Sequence, residues 1–199
     1  MIIRLARESD AAACLQIYES IVRETAISFE EIAPTVDEMS ERIRTTIKNH
    51  PWLVCCEPDA KPGRPVAGYA YAGAHRARAA YRWTVESAIY VDHGCRGRGA
   101  GRQLYTALFN ILRLQGYRTV VAGATLPNDS SIAFHGQLGF ETIGVFHNVG
   151  FKFGRWHNTQ WFELDLKTNH APSEPIPLSM LDENGEIARV IGDSLPPME

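Results

Sequence analysis

The residues able to do chemistry concentrate between Thr84 and Phe140, and the densest run is Arg96-Gly97-Arg98-Gly99-Ala100-Gly101. An apolar strand pattern, Val85 to Val91, leads into it. A helix pattern leaves it, starting Arg102-Gln103-Leu104-Tyr105 and keeping Leu104, Leu108, Ile111 and Leu112 on one face. Glycine has no Cβ, so backbone N–H groups in such a run can come close to a phosphate. The start of the helix adds partial positive charge. Arg96, Arg98 and Arg102 can add long-range attraction and direct contacts. Together these features read as a pyrophosphate cradle; the plainer alternative is a turn that needs flexible glycines. Two phosphate loops are excluded. No Lys-Ser or Lys-Thr follows, as a nucleoside triphosphate loop requires, and Gly101 arrives one residue too early for the dinucleotide pattern G-x-G-x-x-G.

These residues need a scaffold, and hydrophobic periodicity supplies one. Ile2 to Leu5 reads as a short strand, followed by a helix from about Ser9, its N-cap, to Arg23. Thr25 to Ala33 reads as a loop carrying Phe29. Thr35 and Glu38 form a capping box for a second helix with Val36, Met39, Ile43 and Ile47 on one face. Strands are expected at Trp52 to Cys56, Val66 to Ala74, Thr84 to Val91, Arg118 to Ala124, Thr142 to His147 and Gln160 to Leu166. Glu57 to Pro65 reads as an exposed turn, and Arg76 to Arg82 as a basic, aromatic loop. Asn128 to Leu138 is a short helix, stopped by Gly139. The fold class is α/β: a twisted mixed, mostly antiparallel sheet flanked by helices.

Composition sets the outer limits. The chain has 199 residues, which suits one domain with a modest extension. A net charge of −3 gives no reason to expect nucleic acid or an acidic membrane as partner. The apolar run at Met1 to Leu5 is too short for a signal peptide, and nothing is long enough to span a bilayer. A cytoplasmic location is therefore expected. Cys14, Cys55, Cys56 and Cys95 have no metal-ligand spacing and read as free thiols, the first three in the core. No metal is expected. Composition changes at Lys167. The tail that follows holds Asn184-Gly185 between two apolar runs, Leu178 to Leu181 and Ile187 to Ile191. That reads either as a small hairpin or as part of a disordered tail.

The glycine run also matches the R/Q-x-x-G-x-G/A signature of the GNAT superfamily of N-acetyltransferases, which it resembles. Asn128-Asp129-Ser130-Ser131, His135 and Leu138-Gly139-Phe140 are similar to a second segment of that superfamily. Trp83 to Ser87, Leu126 to Asp129, Tyr69 to Gly73, Thr25 to Phe29 and Gly150 to His157 resemble the phosphinothricin N-acetyltransferase group. The resemblance covers most of residues 1–166 and leaves 167–199 as an extension.

The resemblance implies acetyl transfer from acetyl-CoA to the α-amine of a small amino-acid-like molecule. Phosphinothricin, methionine sulfoximine and methionine sulfone are the leading substrates. It implies a homodimer. The cradle from Arg96 to Arg102 would hold the pyrophosphate. The pantetheine arm would enter between Ile89-Tyr90-Val91 and a strand ending Ala122-Gly123-Ala124. Asn128 would contact that arm, cap its helix, or do both. Glu86 stands at the position of the proposed base, the alternative being a structural carboxylate paired with Arg82 or another arginine. A backbone N–H at Ile89 or Tyr90 would meet the oxyanion. His135 would give the leaving thiolate a proton, or merely pack on its helix. Arg78, Tyr81 and Phe29 would bind the substrate. Two rival readings remain: an acetyl-CoA-binding module without turnover, and an acetyltransferase for a protein or another small amine.

Overall fold

The computed structural model describes residues 1–57, 66–167 and 173–193. Seven strands form one sheet: β1 (Ile2–Leu5), β2 (Trp52–Cys56), β3 (Val66–Ala74), β4 (Thr84–Val91), β5 (Thr119–Thr125), β6 (Glu141–Lys152) and β7 (Arg155–Asp165). Their order is β1-β2-β3-β4-β5-β7-β6. Every pairing is antiparallel except β4 with β5, which run parallel for only three rungs, Thr84–Thr119, Val85–Val120 and Glu86–Val121. Beyond Glu86 the two strands separate, as expected for β4 and the strand ending at Ala124.

Helices α1 (Ala11–Glu24) and α2 (Val36–Thr46) cover one face of the sheet; α3 (Ala100–Gln115) and α4 (Asp129–Gln137) lie on the other. Leu104, Leu108, Ile111 and Leu112 of α3 are all fully buried, so the expected apolar stripe is the one that meets the sheet. Each fully buried side chain of this kind contributes roughly 1.5–3 kcal/mol. The capping box of α2 forms as expected: Thr35 accepts from the Glu38 amide, and Glu38 accepts from the Thr35 amide at 2.7 Å.

The start of α1 differs from expectation. Ser9 lies in a 3₁₀ turn, Glu8–Asp10, and the helix begins at Ala11. Asp10 ends that turn because its carboxylate is already committed. It accepts from Arg4 at 2.7 and 2.8 Å and from the Arg7 amide at 2.8 Å. The β6–β7 hairpin is longer than the sequence pattern indicated. It turns on two residues with positive φ, Phe153 at 51° and Gly154 at 73°.

The small hairpin, one of the two readings of the extension, is not found among the described residues. Leu178–Glu183 forms α5 and Glu186–Asp193 forms α6. Gly185, with φ 70°, provides the left-handed residue between two helices. Leu178, Leu181, Ile187 and Ile191 are buried. They sit three and four residues apart within their helices, which is helical spacing; the short apolar runs had concealed it. Gln115 at the end of α3 ties this segment down, donating to the carbonyls of Asn49 (2.7 Å) and Ile176 (2.8 Å). The expected turn beyond Glu57, and the tail residues 168–172 and 194–199, lie outside the described residues.

Candidate active site

The parting of β4 from β5 creates the site. Once the ladder stops at Glu86–Val121, the facing edges of β4 and β5 have no strand between them. Two clefts meet in that gap. One, of about 480 Å³, runs over Ile89, Tyr90 and Val91 to the glycine run. The other, of about 470 Å³, holds Glu86, His135 and Phe29. Ile89, Tyr90 and Asn128 line both, so the groove is continuous.

At the first end, Gly97 and Gly99 have φ of 73° and 85°, a conformation disfavoured for residues with a Cβ. Gly99 is the N-cap of α3 and offers no side chain, which leaves the first-turn N–H groups of the helix facing outward. A Cβ on Gly101 would sit 3.1 Å from the Phe134 ring, so α3 and α4 approach closely there and a larger residue would push the ring aside. Arg96 and Arg102 line this cleft. Arg98 does not; its guanidinium is paired with Glu57. Among the described residues no cluster suits a metal ion.

At the junction, the Asn128 side-chain oxygen accepts from the Ser131 amide at 3.2 Å, capping α4. Its amide N–H groups are left for the groove. In the second cleft the Glu86 side chain is 46% exposed, and Nδ1 of His75 lies 3.7 Å from its carboxylate. Arg82, the partner considered from sequence, is engaged elsewhere. It pairs with Glu174 and donates to the Ala79 carbonyl at 2.8 Å.

His135 lines the same cleft but is 96% buried, stacked on Phe162 with ring centroids 4.9 Å apart. Its Nδ1 lies 2.8 Å from the Ser131 carbonyl. A carbonyl can only accept, so Nδ1 carries the hydrogen and Nε2 of the neutral ring is an acceptor. Burial lowers its pKa, and the Ser131 carbonyl only partly offsets this. An imidazolium is therefore disfavoured at this position.

Of the three expected substrate residues, only Phe29 lines the cleft. Arg78 is exposed and starts the 3₁₀ turn Ala79–Tyr81, which directs it to solvent. The Tyr81 ring is covered by His75 and by the Arg76 guanidinium, 5.2 Å from its centroid. Neither residue lines the cleft.

With that geometry in place, comparison with known proteins decides the family. The model of the acetyltransferase (GNAT) domain matches residues 3–161. The chain belongs to the GNAT acetyltransferase family. A phosphinothricin N-acetyltransferase of Streptomyces viridochromogenes is 36% identical over 174 residues, which is 87% of this chain and 92% of that one. An L-methionine sulfoximine/L-methionine sulfone acetyltransferase of Salmonella typhimurium is 34% identical, covering 86% of this chain and 98% of that one. The crystal structure of a GNAT superfamily phosphinothricin acetyltransferase from Sinorhizobium meliloti, in complex with AcCoA, superposes with a TM-score of 0.81 at 35% identity. It covers 89% of this chain and 96% of that one.

The acetyltransferase cleft also contains residues that sequence reasoning missed. Ser87 and Tyr105 line it with their hydroxyls 3.2 Å apart. Burial pushes the Tyr105 pKa well above its ordinary value, so this hydroxyl stays protonated. Thr159 and Trp161 line it too, and their buried side-chain O–H and N–H find no partner among the described residues. One signal was available for Tyr105: it is a polar residue on the otherwise apolar face of α3. Thr159 and Trp161 give no signal, because alternation on β7 does not tell which face meets a cleft.

Proposed function

We propose that the protein acetylates the α-amine of a small amino acid that carries a tetrahedral oxo group in its side chain, of the phosphinothricin, methionine sulfoximine or methionine sulfone type. Acetyl-CoA is the donor. The observation that carries this reading is the placement of Glu86. It is the last residue of β4 paired with β5, and its half-exposed side chain lines the second cleft with His135 and Phe29.

An ammonium has no lone pair for attack. Glu86 takes its proton, directly or through water. The amine attacks the thioester carbonyl and forms the C–N bond. A backbone N–H of Ile89 or Tyr90, on the unpaired edge of β4, meets the developing oxyanion. The C–S bond then breaks and the thiolate leaves, taking up through water the proton that the attacking nitrogen sheds as it becomes an amide. Its charge is met by an O–H donor, for which Tyr105 with Ser87 is better suited than the neutral His135. Arg96, Arg102 and the glycine cradle from Gly97 to Gly101 hold the pyrophosphate. Asn128 serves both as cap and as a contact for the arm of the donor. Phe29 forms an apolar wall. Arg78 and Tyr81 act, if at all, from the rim.

We place the catalytic unit in residues 1–166 and give the helices that follow a packing role. A homodimer is the proposed assembly. Its interface would be the apolar tip of the β6–β7 hairpin, where Phe151, Phe153 and Trp156 are each more than half exposed. Four free cysteines fit a reducing cytoplasm. The test is thiol release from acetyl-CoA with phosphinothricin, methionine sulfone, methionine sulfoximine, common amino acids, polyamines and a lysine peptide. Saturable turnover on one of the first three supports the reading. Acetyl-CoA binding without turnover on any amine would replace it with a silent binding module.

A further inference from the structure

Lys152 ends β6, one residue before the hairpin turn, and is 95% buried. Burying an ammonium is costly unless its three protons are satisfied. Here all three are. Nζ donates to the carbonyls of Val22 at 2.7 Å, Ser28 at 2.8 Å and Thr25 at 2.9 Å. Val22 lies in the last turn of α1, where carbonyls lack helical partners and carry partial negative charge. Thr25 and Ser28 belong to the loop that follows. That loop therefore folds around one cation supplied by a strand more than 120 residues away in sequence.

The same loop forms part of the cleft. Ile27, Ser28 and Phe29 line it beside Glu86. Other contacts agree with this. A Cβ on Gly150, two residues before Lys152, would collide with the Phe29 ring, so Phe29 rests on bare β6 backbone. His157 Nε2 lies 3.0 Å from the Lys152 carbonyl, and its ring faces Phe29. The Ser28 hydroxyl is 2.7 Å from that of Tyr18. With every proton of Nζ already donated, Lys152 is not available as a base or as a ligand for substrate.

We infer that Lys152 is a positioning residue: its buried ammonium clamps the 25–29 loop onto the β6–β7 hairpin and thereby sets the wall of the amine-binding cleft. What that wall touches rests on the proposed function; the clamp itself does not. Arginine is not an equivalent replacement. Three carbonyls converge on a point charge, and a planar five-donor fork does not match them.

The experiment uses the full chain carrying Lys152→Met, Lys152→Arg or Gly150→Ala, with two readouts. Amide hydrogen exchange over residues 23–30 is expected to quicken by about tenfold or more in both Lys152 variants, while α3 and β3 keep wild-type rates. The amine KM is expected to rise about tenfold in all three variants, with the acetyl-CoA KM within about twofold. Unchanged exchange over 23–30 overturns the clamp. Faster exchange with an unchanged amine KM overturns its part in the cleft. If Lys152→Met loses protection throughout, the KM split in Gly150→Ala decides. A wild type inactive on every amine would defeat the proposed function, and exchange would still decide the clamp.

Discussion

Glu86 and Val121 form the last rung between β4 and β5 before the strands part. The carboxylate is thus fixed by a sheet on its backbone side and open to the cleft on its side-chain side. Removing its basicity should remove turnover and little else. Glu86→Gln is expected to lower kcat/KM by about 10²–10⁴-fold, the usual range for a positioned general base. Acetyl-CoA affinity and Tm should stay at wild-type values. Stopped-flow thiol release, with calorimetry for acetyl-CoA binding, measures both. Retained turnover would remove Glu86 from the mechanism.

The cradle makes a separate prediction for the donor. Gly99 has φ 85°, and alanine there is strained by about 1–2 kcal/mol. Gly99→Ala and Arg102→Ala are each expected to raise the acetyl-CoA KM by about tenfold and leave the amine KM unchanged. Arg98→Ala should do less, because Arg98 is paired with Glu57. Titrating acetyl-CoA at fixed amine distinguishes the three.

His135 links stability to pH. Burial depresses its folded pKa below the ordinary 6.5. As pH falls through about 6.5, the unfolded chain takes up a proton that the folded ring resists. The stability His135 provides is therefore complete above that pH and is lost as pH drops toward the folded value. Tm is expected to fall between pH 7.5 and about 5.5, and less steeply in His135→Phe. Identical pH slopes in thermal melts of the two proteins would contradict this.

The extension should behave as core. Leu178 is 1% exposed and packs in the cluster that holds Leu108 and Leu112. Leu178→Ala is expected to cost about 2–5 kcal/mol, the range for emptying a packed leucine site. Denaturant unfolding reads it directly. Ending the chain at Lys167 should cost more, since Leu181, Ile187 and the Gln115–Ile176 hydrogen bond go with it.

The exposed face of the hairpin carries the fifth prediction. Trp156 is 61% exposed and its ring meets that of Phe151. If this face joins two copies, Trp156→Glu should shift the protein from dimer to monomer in sedimentation or light scattering. A wild-type monomer would show that the face has another use.

Much of the fold was legible in local signals. The capping box at Thr35 and Glu38, the apolar stripe of α3, the stop at Gly139 and the glycine cradle each depend on residues within a few positions of one another. Such signals survive without knowledge of the rest of the chain. The extension was misread for a related reason. Its apolar runs are too short for periodicity to separate helix from strand, and Asn184-Gly185 serves a helix end as well as a hairpin.

By itself, the sequence determined the strand–cradle–helix unit, the placement of Glu86 on the strand that leads into the cradle, and the segments that carry the family resemblance. Tertiary structure alone decided the rest. It turned Arg98 to Glu57, Arg82 to Glu174 and Arg78 to solvent; it buried His135 against Phe162 with Nδ1 on the Ser131 carbonyl; it closed three carbonyls around Lys152. Each of those outcomes depends on which distant group arrives within hydrogen-bond reach. A side chain's charge and type say what it can bind, and only packing says what is there to be bound.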